Sequence, residues 1–455
     1  MSEKKINVEE LLARANQPAK VAPGLHSYYR GKMQTVPRCA IRSFNDFSIW
    51  YTPGVAVPCR QIQADKGKVY DFTSKWNTIA IVTDGTRVLG LGDIGPEAGL
   101  PVMEGKALLF KYLGGVDAVP ICLDTKDPEE IIKTVKLLKP AFGGINLEDF
   151  SSPKCYHILD TLRREMDIPV FHDDQQGTAV VTLAGLINAL KVVGKKKENV
   201  KLAFVGTGAA NSAVSKLLFA DGFKPANSIF VRSSGILHSD RKDMEQNQTK
   251  DPYLWKLCLI TNPEKRKGGI GEAMMGADVV ISYAESRAGL IKPEWVKTMA
   301  KNAIVFACAN PIPEIWPWEA KEGGAKVIAT GRSDFPNQVN NSTGFPAIFR
   351  GTLDVRAKTI TDEMCLAAAY ELAKCAEEKG LSTEYITPTM DDTQALIREA
   401  VAVGMKAIEQ GVAQIKPSRT ALTRQVKKMI NSAKKATADL MKSGVIPEWP
   451  EDYKE

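Results

Sequence analysis

The chain is 455 residues long, which at about 150 residues per domain predicts two or three domains. Its composition, 44% hydrophobic and 25% charged, can build sizeable cores and excludes a mainly disordered, collagen-like or mucin-like polymer. The net charge of +7 is concentrated in one C-terminal segment, Lys416 to Lys442, where eight Lys and Arg face the single acid Asp439, and the rest of the chain is balanced.

No run reaches the ~20 apolar residues that a spanning helix needs. The start, Met1 to Lys5, leads into mixed polar sequence rather than a secretory leader. A cytoplasmic protein with no membrane partner is the expectation. Eight cysteines (39, 59, 122, 155, 258, 308, 365 and 375) include no CxxC pair, and several sit in apolar runs such as Ile121-Cys122-Leu123. Buried, reduced thiols are expected, not a disulfide framework or a zinc site.

In chain order, Thr78 to Thr83, Asp84-Gly85 and Thr86 to Leu91 read as a hairpin with a tight turn. Ala118–Leu123, Gly144–Leu147 and Ile168–Phe171 are short apolar strands. Between the first two, Asp127 to Lys139 opens Asp-Pro-Glu-Glu, a helix start. Gly177 to Val193 reads as a long helix leaving the first domain, followed by the polar connector Gly194 to Asn199. A second alternating series follows, with strands at Leu202–Val205, Ile229–Val231, Val279–Ser282, Ile304–Cys308 and Val327–Ala329. Beyond about residue 358 only helical patterns remain. The fold class is therefore α/β: an N-terminal α/β domain (1–173), a Rossmann-type doubly wound domain (174–390) and a helical extension (391–455). In the basic C-terminal segment, Leu422, Val426, Met429, Ile430, Ala433 and Leu440 recur at helical spacing. The reading is an apolar face docked on the protein under a solvated basic face, with no nucleic-acid partner.

Acids follow directly on two strands of the first series, in Asn146-Leu147-Glu148-Asp149-Phe150 and in Phe171-His172-Asp173-Asp174-Gln175-Gln176-Gly177. Ligands of open α/β sheets bind beyond the carboxyl ends of strands, so these acids can converge there. Facing carboxylates repel unless a cation separates them, and an oxygen-only set favours Mg2+ or Mn2+ over zinc. Helix caps and solvated turn acids are the alternative for either segment alone. The glycine-dense stretch Thr83 to Lys106 carries Arg87 near one end, suited to clamp a carboxylate in bidentate fashion, and Lys106 at the other. Lys106 could serve as a base if burial or a neighbouring cation lowered its pKa. His172 is read as a packing or locally bonded residue.

A strand, a glycine turn and a helix run through Leu202 to Val205, then Gly206, Thr207, Gly208, Ala209, Ala210 and Asn211, then Ser212 to Phe219. The first glycine permits the turn and the second lets backbone approach a pyrophosphate at the helix start, which predicts dinucleotide binding. Asn211 stands where a third small residue is usual, which leaves close helix–strand packing open. The next strand ends in Arg232, Ser233 and Ser234, with no acid for ribose hydroxyls. This suits the 2′-phosphate of NADP better than NAD.

Tyr51-Thr52-Pro53-Gly54-Val55-Ala56, the Thr83–Lys106 stretch, Glu148-Asp149-Phe150, Asp173 to Ala179, Cys308-Ala309-Asn310-Pro311 and Asn340-Asn341 occur in this order. Together, from about residue 20 to about residue 400, they resemble the short type of malic enzyme. The resemblance implies that Tyr51 protonates the enol product, that Lys106 takes the C2 hydroxyl proton, and that Asp173 orients Lys106. It implies divalent-metal ligation by Glu148, Asp149 and Asp174, and substrate-carboxylate contacts from Arg87, Asn310 and Asn341, with Asn310 also at the cofactor. It further implies malate and pyruvate as substrate and product, and a homodimer in which the tyrosine is supplied across the interface. The leading reading is oxidative decarboxylation of (S)-malate to pyruvate with NADP, NAD being second. A malolactic-type enzyme would use the same site and release lactate. A non-catalytic nucleotide-binding regulator is the third reading, and the complete set of acid, base and metal candidates argues against it.

Overall fold

Residues 8–453 are described in the computed structural model, so the Met1 to Lys5 start lies outside the described residues. Two parallel sheets organise the chain. The first has strand order β2-β1-β3-β4, with β1 Thr78–Thr83, β2 Asp117–Cys122, β3 Gly144–Leu147 and β4 Val170–His172. β1 is central and five of its six residues are buried, as expected for a strand covered on both faces. β2 lies at the edge, where Pro120 is tolerated because its missing N–H faces no partner strand.

The predicted hairpin does not form. β1 pairs in parallel with β2 on one side and β3 on the other, so neither edge is free for Thr86 to Leu91. Asp84 instead closes a local turn, its Oδ1 accepting from Thr86 N at 3.0 Å and from Thr86 Oγ1 at 2.6 Å. The chain then loops back, and Arg87 N donates to the Asp149 carbonyl at 2.9 Å.

The second sheet has order β10-β9-β8-β5-β6-β7 and is parallel except for β7 on β6. Its strands are β5 Leu202–Val205, β6 Ser228–Arg232, β7 Gly235–Ile236, β8 Val279–Ser282, β9 Ile304–Ala307 and β10 Val327–Thr330. This is the expected doubly wound α/β class, with β7 an addition that two residues of sequence could not signal. The Thr178–Val193 helix packs into a core shared by both sheets, in which Ile79 and Ile81 of β1 belong with Leu202 and Phe204 of β5. The helical span Asp173–Val193 is 21 residues long, and its most apolar 18-residue window has a mean hydropathy of 1.4, which corrects the expectation that no run approaches spanning length. Within it, 78% of the most apolar window is buried inside the protein. All eight cysteines are free; Cys39 and Cys59 are exposed, against the expectation of burial, because they sit in the N-terminal segment outside the cores.

The Arg419–Lys442 helix buries Leu422, Val426, Ile430 and Ala433 and leaves Lys427, Lys428 and Lys435 exposed. It docks so closely that a Cβ at Gly115 would meet the Met429 carbonyl oxygen at 2.7 Å, and Gly115 also has φ 64°, so both space and backbone call for glycine there. Next to this contact, Arg350 is fully buried and bidentate to Asp354 at 2.6 and 3.0 Å, with Asn77 Oδ1 accepting from its Nη1 at 2.5 Å. Arg350→Met would strand the Asp354 carboxylate in the core. Its expected cost is about 3–5 kcal/mol, read as a lower urea midpoint. An unchanged midpoint would show that the pair contributes nothing net.

Candidate active site

The site is built where the strands of the first sheet end. β3 and β4 are neighbours in register, with Leu147 opposite His172, so the residues that follow each strand emerge side by side. These are Glu148-Asp149 and Asp173-Asp174. The Asp173–Gly177 segment is wound as a single π-helical turn at the head of the Thr178–Val193 helix, which carries Asp173 inward. A Cβ at Gly177 would lie 1.9 Å from Asp173 Oδ1, so only glycine lets that carboxylate fold under the turn.

Lys106 comes from the Pro96–Gly114 helix, and its side chain is buried. Its Nζ donates to Asp173 Oδ2 at 2.5 Å, lies 3.0 Å from Glu148 Oε1, and sits 4.5 Å from the centroid of the Phe345 ring. Glu148 Oε2 accepts from Asn146 Nδ2 at 2.8 Å. Asp149, with φ 58°, turns its backbone N–H toward Asp174, whose Oδ2 accepts at 2.8 Å.

Carboxylate oxygens of Glu148, Asp149 and Asp174 all lie within 4.8 Å of one another. Burial, followed by neighbouring carboxylate charge, raises Glu148 and Asp149 well above the usual carboxylate range, while Lys106 opposes the rise. Asp173 is pushed up to about 6 by burial, again against the pull of Lys106. Four acids thus share one ammonium, and the buried oxygens Asp149 Oδ2 and Asp173 Oδ1 have no hydrogen-bond partner among the described residues. An all-oxygen set with surplus negative charge and an unsatisfied carboxylate oxygen fits a hard divalent cation such as Mg2+ or Mn2+.

Lys106 departs from the expectation of a lowered pKa. Burial alone would lower it, but the charges of Asp173, Glu148 and Asp174 outweigh burial and the net shift is upward. A cation bound to Glu148, Asp149 and Asp174 would offset the Glu148 and Asp174 part of that rise and leave the part due to Asp173. His172 is buried, and burial pushes its imidazole down to about 4, so the ring is neutral at pH 7. Neither ring nitrogen has a hydrogen-bond partner among the described residues, and the ring packs edge-on to Phe150 at 6.1 Å, so it packs rather than bonds.

The other predicted residues are placed unevenly. The Arg87 side chain is exposed, and its backbone N–H is tied to the Asp149 carbonyl. Asn341 begins the 3-10 helix Asn341–Thr343, and its Cβ would lie 3.4 Å from a Cβ at Gly177, against the Asp173 turn. Asn310 follows β9. A Cβ at Gly90 would lie 3.0 Å from the Asn310 carbonyl oxygen and 2.6 Å from Ser286 Cβ, so the glycine-dense loop abuts the second sheet's loops here. Tyr51 is not brought to the cluster: it is 71% exposed, and no hydrogen bond, ion pair or ring contact joins it to the site among the described residues.

The glycine turn sits at the end of β5, the central crossover strand. Gly206 has φ 94° and donates its N–H to the Val231 carbonyl at 2.8 Å, and Gly208 caps the Ala209–Ala220 helix. Thr207, Ala209 and Ala210 complete the turn. Asn211, the departure from the small-residue pattern, is fully buried, and its Nδ2 donates to Val205 O at 2.7 Å and Gly206 O at 2.9 Å. Its amide therefore bonds the helix to the strand end, resolving the question that the sequence left open. Arg232 is half-buried at the end of β6, with Ser233 and Ser234 exposed beyond it. Sequence reasoning missed Arg241. Its guanidinium donates to Ser234 Oγ at 2.9 Å and Ser234 O at 3.2 Å and is paired with Asp243, its Nε donating to Asp243 Oδ1 at 2.7 Å, so it braces the loop as half of an ion pair; the run Ser239-Asp240-Arg241-Lys242 was its only signal.

Residues 30–163 match the family described as malic enzyme, N-terminal domain, and residues 175–409 match malic enzyme, NAD binding domain. A bifunctional malic/malolactic enzyme of Bacillus subtilis is 48% identical over 86% of this chain and 93% of its own length. An NAD-dependent malic enzyme of Geobacillus stearothermophilus is 51% identical over 84% of this chain and 78% of its own. The crystal structure of Entamoeba histolytica malic enzyme superposes with a TM-score of 0.95 at 44% identity, covering 99% of this chain and 94% of that one. Other relatives, at 40–42% identity, are described as NADP-dependent malic enzymes.

Proposed function

The chain belongs to the malic enzyme family, and on that premise we propose that it converts (S)-malate to pyruvate and CO2 with reduction of NADP, in the presence of Mg2+ or Mn2+. The observation that carries the reading is the Lys106–Asp173 contact set beside the carboxylate trio of Glu148, Asp149 and Asp174. Lys106 takes the proton of the C2 hydroxyl, and Asp173 holds the ammonium in line. Arg87, Asn310 and Asn341 fix the substrate carboxylates. A hard divalent cation on Glu148, Asp149 and Asp174 would draw charge from the substrate's C2 oxygen as CO2 leaves. The Gly206 to Asn211 turn would hold the dinucleotide, whose nicotinamide would supply the hydride acceptor for C2. Following NADPH, NADH, pyruvate and lactate formed from malate, with Mg2+, Mn2+ or chelator, tests the whole reading. Pyruvate with net NADPH is the expected result. The bifunctional Bacillus relative favours malolactic chemistry as the second reading, and lactate without net reduced cofactor would replace the first with it.

Tyr51 completes the set from a second copy of the chain, as the acid that protonates the enol at C3. Its exposure is shared by Phe44, Phe47, Ile49, Trp50 and Val57, an apolar patch of the kind that marks an interface. In a homodimer with this exchange, Tyr51→Phe and Lys106→Ala subunits are each inactive alone. Mixed in equal amounts after subunit exchange, they should regain about a quarter of wild-type activity, since a two-fold dimer then holds one intact site in each mixed pair. No recovery would place Tyr51 outside a shared site.

The preference for NADP rests on Arg232, with Ser233 and Ser234 beyond it and the Asp243-paired Arg241 bracing Ser234. Each charge-assisted hydrogen bond to a 2′-phosphate contributes about 1.5–3 kcal/mol, a preference on the order of tenfold to a thousandfold. Arg232→Asp should raise the KM for NADP strongly and improve use of NAD, because the glycine turn is untouched. If the wild type prefers NAD, as the Geobacillus relative's description has it for that protein, or if the substitution leaves the NADP constant alone, Arg232 is a solvated loop residue.

A further inference from the structure

Behind the acid cluster lies a cavity of about 370 Å³, within the size range of small-molecule sites. It is enclosed by the Lys154–Glu165 helix of the first sheet and the Ala209–Ala220 and Pro252–Ile260 helices of the second. None of the residues assigned above to substrate, metal or nucleotide lines it. Three hydrogen bonds frame it, the first two joining helices of the two sheets. Tyr156 Oη donates to Ser212 Oγ at 3.0 Å, the Tyr253 hydroxyl donates to Asp160, and Arg163 Nη2 donates to the Ile360 carbonyl at 2.8 Å. Part of its floor is the reverse side of the catalytic turn, where Gln176 accepts from His172 N at 3.1 Å and reaches Cys365 Sγ at 3.9 Å.

The lining states what would fit. Leu159, Ala213, Leu217, Phe219, Leu257 and Ile260 make a mostly aliphatic wall. The charged lining is Arg163, Lys216 and Lys256 against Asp160 and Asp362, an excess of one positive charge. Arg163 and Lys216 share Asp362, at 3.3 and 3.2 Å, and Asp160 accepts from the Tyr253 hydroxyl, whereas exposed Lys256 has no acid within ion-pair distance among the described residues. One uncommitted cation at the edge of an aliphatic chamber matches one negative charge on an aliphatic body.

We propose that this cavity is a second ligand site, separate from the active site, for a medium-chain carboxylate whose chain lies against the Leu159–Leu217–Leu257 wall and whose carboxylate meets Lys256. The site needs no reaction and no metal, so binding to it can be measured apart from the function proposed above.

The test is calorimetric titration of the full-length protein with decanoate below its micelle concentration, with and without saturating malate. One site per chain, undisturbed by malate, is expected. Lys256→Glu should weaken decanoate at least about tenfold by reversing the charge it meets, and Ile260→Trp, which narrows the chamber, should weaken it as well. Both positions lie outside the catalytic and nucleotide groups, so malate turnover in the two variants should stay at the wild-type level. Decanol, with the same chain and no charge, should bind more weakly than decanoate and equally to wild type and Lys256→Glu. Absence of binding would overturn the proposal, as would decanol binding as tightly as decanoate. So would decanoate that malate displaces and Lys256→Glu does not affect, since that ligand would be occupying the substrate-carboxylate contacts.

Discussion

Lys106→Ala is expected to abolish malate oxidation while leaving nucleotide binding in place. Removing a positioned proton acceptor costs about 10²–10⁴-fold in rate, and here the loss goes further, because Asp173 and Glu148 would be left facing each other with no ammonium between them. The drop should appear in kcat rather than in nucleotide affinity, since no hydrogen bond or ion pair joins the Gly206 to Asn211 turn to Lys106 among the described residues, and the turn is held by its own bonds to β5 and β6. Malate turnover by absorbance at the nicotinamide band, with nucleotide binding by fluorescence, separates the two. A variant that turns over at close to the wild-type rate would remove Lys106 from the mechanism. The carboxylates around Lys106 raise its pKa and favour the ammonium; a cation on the trio would offset Glu148 and Asp174 and leave Asp173 as the partner that orients it.

Asp174→Ala should weaken Mn2+ binding by about 10- to 100-fold, the loss of one charged ligand at about 1.5–3 kcal/mol. It should suppress decarboxylation of added oxaloacetate as well as malate oxidation, because both need charge drawn from the same oxygen. Asp174 is a cleaner target than Glu148, whose Oε1 also holds Lys106 at 3.0 Å. Asp174 has one structural duty of its own, accepting from Asp149 N at 2.8 Å. Asp174→Asn keeps an acceptor for that bond and loses the charge, so it should match the alanine variant in metal affinity. Unchanged Mn2+ affinity by calorimetry in both would mean that these acids are caps and not ligands.

Much of this site was legible before any coordinates. Strand patterns, the Gly206–Gly208 turn and the placing of acids directly after apolar strands are short-range features, written in neighbouring residues, and they located β3, β4, β5, β8 and β9 to within two residues. The Asp-Pro-Glu-Glu helix start is of the same kind: Asp127 caps it through the N–H groups of Glu129 and Glu130. These assignments depend on turn chemistry and periodicity, which act over a few residues and survive without knowledge of the rest of the chain.

What tertiary structure alone decided depends on which distant segments become neighbours. The Thr78 to Leu91 stretch had hairpin chemistry, yet β2 and β3 took both edges of β1, and a local preference cannot compete with two parallel ladders in a buried sheet. Lys106 meets Asp173 across 67 residues because the Pro96–Gly114 helix packs over the sheet, and that meeting also turned the expected downward pKa shift into an upward one. Asn211 departs from the glycine pattern in sequence, and only the fold lets its amide bond β5's last carbonyl. Arg241 reached Ser234 only because β7 folds back on β6. Residue type and order determine which chemistry a segment can offer. Burial, charge pairing and contact depend on strand order and helix docking, which are set by the summed packing of the whole chain.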